Sequence, residues 1–337
     1  MNVTKVNVTI DGIILHCDNS VANINLGNGY RIEKKYFSDL PYKNKITDGE
    51  GKLTINYLGS QMKDEKGIYF MCLHKEDDYE IRFPEVKSGM ALTNDDLMCE
   101  QQLSEYKQKE MNYLHKVFSL LHLFKKGNIG FAQLFFVHKF TVFGFISQNM
   151  KQTDNSISKN VIEDTLFSLS ISEIAECNTF LSSVSTQEFN LIKDNINEFI
   201  WGLEQSDVST GFEQYTTALE MTLLAKGERG KKEALSKRVA VLLESDTQKI
   251  QDLYNKMKDF YRYRSESLHE GNGQNITVSE LKDLEEIVRR VLVKYLEFCK
   301  VAIQTAPTVT WDTIKRDKIS DLKNSVSTVI SSGILPA

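Results

Sequence analysis

The sequence predicts an α+β chain of two domains, a β-rich N-terminal domain with one long helix followed by an all-α helical bundle. Three observations lead there. The first 90 residues hold short β-branched and aromatic runs separated by Gly, Asn and Asp clusters. No proline occurs between Pro84 and Pro307, which leaves that stretch free for helices. Two capping boxes, Ser185-Thr186-Gln187-Glu188 and Thr277-Val278-Ser279-Glu280, each precede apolar residues at helical spacing.

In chain order, NVTKVNVTIDGIIL, KLTINYLG, GIYFMCLH and YEIRFPEV read as strands, with turns at NLGNGY and ITDGEGK. A long helix is expected from Thr93-Asn94-Asp95 past Leu121, ended by the KKGN of 125–128. The most apolar stretch, Ile129 to Ile146, is marginal in length for a membrane helix and has His138-Lys139 at its middle. A central charge in a bilayer costs at least ~2.5 kcal/mol, and aromatic and β-branched residues dominate, so one or two buried strands are expected there. The polar 148–160 segment reads as a surface loop near the domain boundary. The expected division is 1–150 for the N-terminal domain, 151–184 for a connecting segment, 185–305 for the bundle and 306–337 for a tail that adds one helix and frays at SSGILPA.

Within the bundle, Phe189, Ile192, Ile196, Phe199, Ile200 and Leu203 form the first stripe, and Phe212, Tyr215, Leu219 and Leu223 the second. Leu235, Val239, Leu242 and Leu243 follow after Gly227 and Gly230. A helix capped by Ser245 carries Ile250, Leu253, Tyr254, Met257, Phe260 and Tyr261, and the longest amphipathic helix runs from Leu281 to Ala302. Helices joined by short loops are the pattern of an antiparallel bundle.

Composition limits the function. The net charge of −5 argues against a protein that coats nucleic acid, so any RNA contact must be local. The five cysteines have no metal-ligand or disulfide spacing and read as reduced packing residues. The N-terminus lacks the apolar core of a signal peptide, so a cytoplasmic location with no membrane attachment is expected. The histidines show no metal-ligand spacing, there is no phosphate-cradling glycine motif, and no cofactor or metal is expected.

The chemistry-bearing segment is Tyr261-Arg262-Tyr263-Arg264-Ser265-Glu266-Ser267-Leu268-His269-Glu270-Gly271. Met257, Tyr261 and Arg264 are separated by four and three residues, so Arg264 prolongs the apolar stripe and needs a partner. A structural arginine paired with Glu220 or Glu266 satisfies that pattern. So does an arginine that holds a phosphate beside His269, which is expected just after the helix; its ordinary pKa of ~6.5 suits proton transfer. A basic run, Lys226, Arg229, Lys231, Lys232, Lys237 and Arg238, reads either as RNA-steering, together with Arg262, or as a solvated helix face.

Arg264 to His269 resembles the R-x4-6-H signature of HEPN domains, and YRYRSESLHEG resembles the Apea-like branch. Thr217-Ala218-Leu219-Glu220 and Ser236 to Leu243 are also similar to that branch, and the resemblance covers about residues 185–303. It implies a helical bundle that pairs as a homodimer and brings two motifs into one cleft. It further implies a metal-independent endoribonuclease of bacterial antiphage defence, abortive infection or toxin-type stress responses. His269 would be the general acid/base and Arg264 the cation at the developing phosphorane, with Ser265, Glu220 and Glu270 in support. The N-terminal domain would sense a phage or cellular trigger. A non-catalytic HEPN module that binds nucleotide, RNA or protein is the alternative. In some HEPN toxins a tyrosine two residues after the histidine is modified; Gly271 stands there in this chain.

Overall fold

A computed structural model describes residues 2–83, 93–142, 145–152, 165–270 and 276–336, with side chains throughout apart from 2–4, 55, 83, 93–99, 140–142, 145–149, 151–152 and 265–270. The chain divides into two compact units. The first contains β1 (Asn2–Leu15), β2 (Arg31–Tyr36), α1 (Lys43–Ile46), α2 (Ile55–Leu58), β3 (Met62–Asp64), β4 (Gly67–Phe83), most of α3 (Thr93–Phe124), β5 (Gly130–Val142), β6 (Phe145–Gln152) and α4 (Ile171–Ser183).

Its sheet is antiparallel, in the order β2-β4-β1-β5-β6, with β3 paired to β4. β1 is the central strand. It pairs with β4 from Asn2↔Phe83 to Ile13↔Cys72, and its register with β5 shifts between Gly12 and Ile14. A Cβ on Gly12 would come within 2.6 Å of Leu134 Cδ2, so close approach of β5 requires glycine there. One sheet face carries Ile13, Phe70, Cys72 and Phe135 against Leu40, Tyr42, Ile46 and Tyr57, with the Tyr42 and Phe135 rings stacked at 4.0 Å. Val6 and Ile81 instead pack on Leu103 of α3.

Several expectations change here. KLTINYLG is not a strand: it contains α2, and Tyr57 is driven into the core with its hydroxyl on Gln133 Oε1 at 3.2 Å. Burial of one aromatic overrides a local β preference. GIYFMCLH and YEIRF are two parts of the single strand β4, because the polar Lys75 and Asp78 between them find partners in Glu110 and Lys5, and 84–86 lie outside the described residues. β2 was not anticipated. Residues 148–152 of the expected loop belong to β6; 153–160 lie outside the described residues. The long helix α3 forms as expected, and the apolar stretch forms the strand β5 and the start of β6.

The second unit contains residues 122–126 and the helices α5 (Thr186–Leu191), α6 (Lys193–Glu204), α7 (Val208–Leu223), α8 (Lys231–Leu243), α9 (Thr247–Glu270), α10 (Val278–Thr305) and α11 (Trp311–Ser331). Both capping boxes are present, each with the Ser or Thr side chain and the glutamate exchanging bonds. The first stripe is broken at Ile192, which separates α5 from α6, yet all six of its apolar residues are buried. The cap of α9 is Asp246 and not Ser245: Asp246 Oδ1 accepts from the Lys249 amide at 3.0 Å. The closing residues do not fray. Leu335 is buried with Ala240, Ile250 and Tyr254, because α11 packs back along α8. No described helix is long and apolar enough to cross a membrane.

Candidate active site

The stripe of α9 places the site. Ile250, Tyr254, Met257 and Phe260 are buried, and Phe260 meets Phe212 of α7 edge to face at 5.5 Å. Continuing that face toward the helix end brings up Tyr261, half-buried, and then Arg264. Arg264 Nη1 donates to Glu220 Oε1 on α7. The same oxygen accepts the Tyr261 hydroxyl at 3.0 Å, and Oε2 accepts Lys231 Nζ, from the first turn of α8, at 3.1 Å. Three helices thus meet at one carboxylate.

The arrangement is largely desolvated. The Arg264 and Glu220 side chains keep only 18% and 13% of their exposure. The Arg264 carbon Cζ lies 5.8 Å from the Tyr261 ring centroid, and its Nε is buried without a hydrogen-bond partner among the described residues. Burial, then the Glu220 charge, pushes the Tyr261 hydroxyl pKa up, so it stays a neutral donor. The result is a guanidinium oriented by Glu220, with N–H groups that the described residues do not take up. The signal that identifies Glu220 as the partner is its place on the α7 stripe beside Leu219 and Leu223. Tyr261 was read only as a core residue, and its hydroxyl role has no sequence signal.

His269 is not just after the helix: the backbone of α9 continues to Glu270, so His269 is in its last turn. Glu266, Leu268 and Glu270 are good helix formers, and the glycine that can stop the helix comes later, at 271. Positions five apart on a helix stand about 140° apart around its axis. The side chains of Ser265, His269 and Glu270, and the residues 271–275, lie outside what is described.

The basic run divides. Lys231 pairs with Glu220 and is 47% exposed, and Lys232 is half-buried. Arg262 is 52% exposed, pairs with Asp259 at 3.2 Å and lies over the Tyr263 ring. Lys237 and Arg238 do not belong to an RNA-facing surface, since both are buried. Arg238 Nη1 donates to the Leu223 carbonyl at 2.6 Å and to Glu228 Oε2 at 2.8 Å, and this guanidinium holds the Glu228 pKa below its ordinary range. Arg238 therefore closes the C-terminus of α7 and ties down the loop that follows. Helix phase on α8 alone does not show that Arg238 turns inward to α7 and the loop after it.

Among the described residues no group of three His, Cys, Asp or Glu side chains could hold a metal ion. The described cysteines, Cys17, Cys72, Cys177 and Cys299, are free and buried. The chain matches no protein-family model, no curated protein and no solved structure.

Proposed function

We propose that the helical unit is a metal-independent endoribonuclease of the HEPN type, with Arg264 and His269 as its catalytic residues. The observation that carries the reading is the fixed Arg264 guanidinium, anchored by Glu220 near the end of the helix that bears His269. In the reaction the ribose 2′-oxygen attacks the adjacent phosphorus and the bond to the 5′-oxygen breaks. A base takes the 2′ proton and an acid gives one to the leaving oxygen, so the products are a 2′,3′-cyclic phosphate and a 5′-hydroxyl. One histidine cannot be base and acid in the same step; two motifs in a homodimer supply both. A guanidinium already in place stabilises the phosphorane without reorganisation. The 2′-hydroxyl requirement selects RNA over DNA. The resemblance to Apea-like HEPN proteins supports a cytoplasmic role in bacterial antiphage defence or stress, with the sheet domain receiving the trigger.

The test is incubation of the full chain with total tRNA and mRNA, with and without EDTA, beside Arg264→Ala and His269→Ala. Cleavage that resists EDTA and disappears in both variants is the expected result. A second reading is supported by the same ion pair: Glu220 satisfies Arg264 as it would a purely structural arginine, and the unit is then a binding module. Absence of cleavage by wild type, with or without phage infection of the expressing cells, favours that reading.

A further inference from the structure

The cations of the second unit are not distributed as the sequence run implies. With Lys237 and Arg238 buried, several of the remaining cations line a groove between α11 and the loop after α7. This cavity of about 400 Å³ is lined by Ala225 and Lys226 from the loop and by Asp312, Lys315, Arg316, Ile319, Ser320 and Lys323 from α11. Positions 315, 316, 319, 320 and 323 recur at helical spacing, so one stripe of α11 faces the groove.

The charges in it are poorly compensated. Neither Lys226 nor Lys315 has a hydrogen bond or ion pair with any described residue. Lys315 is half-buried, and desolvation lowers its pKa against the opposing charges of Asp312 and Glu228. The carboxylates at the groove are Asp312, which lines it and acts on Lys315, and Glu228, already held by Arg238 and 3.9 Å from Lys323. Arg316 pairs at 3.2 Å with the exposed Asp317.

The groove also lies close to the site along the chain. Lys226 and Lys231 are five residues apart, a span of at most ~18 Å even if extended. Lys231 touches Glu220, which holds Arg264. We propose that this groove binds the phosphodiester backbone of a single-stranded RNA and presents the strand to the Arg264 site. The proposal rests on the ribonuclease reading for its functional meaning, and its binding claim is separable from it. An acidic chain needs such a local cationic track to hold RNA at all. The groove reads charge and not base edges, so it gives affinity without sequence preference.

The test uses the full chain and an eight-nucleotide 2′-O-methyl RNA, which lacks the attacking hydroxyl, with binding followed by fluorescence anisotropy across salt concentrations. Lys226→Gln/Lys315→Gln should weaken binding at least tenfold and make the slope of log affinity against log salt shallower by about 1.4, two phosphate contacts at about 0.7 each. Arg316→Gln/Lys323→Gln, which alters more exposed side chains, should act in the same direction. Thermal unfolding checks that each variant is folded. Arg264→Ala should lose cleavage of ordinary RNA. If binding follows the groove variants but no form cuts RNA, the ribonuclease reading fails and the groove stands. Unchanged affinity and slope in both folded double variants, or no binding by wild type, overturns the groove. ATP binding as tightly as the oligonucleotide, with no gain from chain length, assigns it to a free nucleotide and overturns the strand reading.

Discussion

Arg264 donates from Nη1 to Oε1 of Glu220, 44 residues earlier in the chain, and the Tyr261 hydroxyl reaches the same oxygen. The pair joins α9 to α7 just where the apolar stripe of α9 runs out. A charge near the core is then satisfied by one carboxylate that has few other ways to be solvated.

Removing that carboxylate should be costly. Glu220→Ala is predicted to destabilise the second unit by about 1.5–3 kcal/mol, the range for hydrogen bonds to charged groups, because Arg264 loses its partner while remaining mostly buried. Lys231, half-exposed, contributes little of this. Urea unfolding of Glu220→Ala, Arg264→Met and the double variant should give a coupling of about 1 kcal/mol or more. Simply additive losses would show that the pair is not an energetic unit.

Gly202 reverses the ordinary expectation for glycine in a helix. Alanine normally stabilises a helix interior by about 1 kcal/mol over glycine. Here a Cβ would sit 2.3 Å from Cε1 of Tyr215, a buried ring flanked by Phe199 that has little room to move. Gly202→Ala should therefore lower stability by about 1–3 kcal/mol, as overpacking does. A higher melting temperature in the variant would contradict the packing described for α6 and α7.

The sheet unit has its own buried pair. Lys75 Nζ lies 2.9 Å from Glu110 Oε2 and 3.0 Å from Asp77, and the Lys75 and Glu110 side chains are 5% and 1% exposed. Glu110→Gln is expected to cost about 3 kcal/mol, the low end for breaking a buried pair from one side, since Asp77 still faces the ammonium. Lys75→Met/Glu110→Leu should recover much of that loss in thermal unfolding; if it is no more stable than the single variant, the charge itself is not the cause.

Much of this architecture was legible in the sequence, and what was missed has a common cause. The capping boxes at Ser185 and Thr277 and the stripes of the bundle are set by neighbours three and four residues away, so they can be read locally. Helix phase shows that Arg264 needs a partner and leaves Glu220 and Glu266 both as candidates; the fold brings Glu220 to it. Arg238 resembles a surface cation in the sequence because its partners, the Leu223 carbonyl and Glu228, lie on another helix and its loop, and Tyr57 leaves its expected strand for a core built from distant strands. The groove cations Lys315, Arg316 and Lys323 escaped for a related reason: their helix was read as a tail, so its polar stripe had no assigned neighbour.

The buried thiols give a pH test. Burial raises the pKa of Cys72, Cys177 and Cys299 to about 12 from an ordinary 9.0, so the neutral thiol is the folded form. The raised value means that their contribution to stability is complete below about pH 9 and is lost as pH climbs toward about 12. In a Cys99→Ser variant, a disulfide reagent at pH 8 should react with no thiol until the protein unfolds. Rapid labelling of even one equivalent under native conditions would show that a described cysteine is accessible.

Arg264→Lys separates packing from chemistry. Lysine keeps the charge and can still reach toward Glu220, so the fold should survive with a loss smaller than that of Arg264→Met. It does not keep the planar guanidinium with donors on several sides, which is what a phosphorane with charge on two equatorial oxygens requires. Removing one such donor from a preorganised site costs about 10²–10³ in rate, and the proposed reaction should slow by about 10²-fold in Arg264→Lys with little change in KM. Its pH profile should keep the wild-type shape, because the lost group is a cation and not the proton carrier, whereas His269→Ala should flatten the profile. A lysine variant that cuts RNA at the wild-type rate would show that a point charge suffices and that the orientation imposed by Glu220 and Tyr261 serves only the fold.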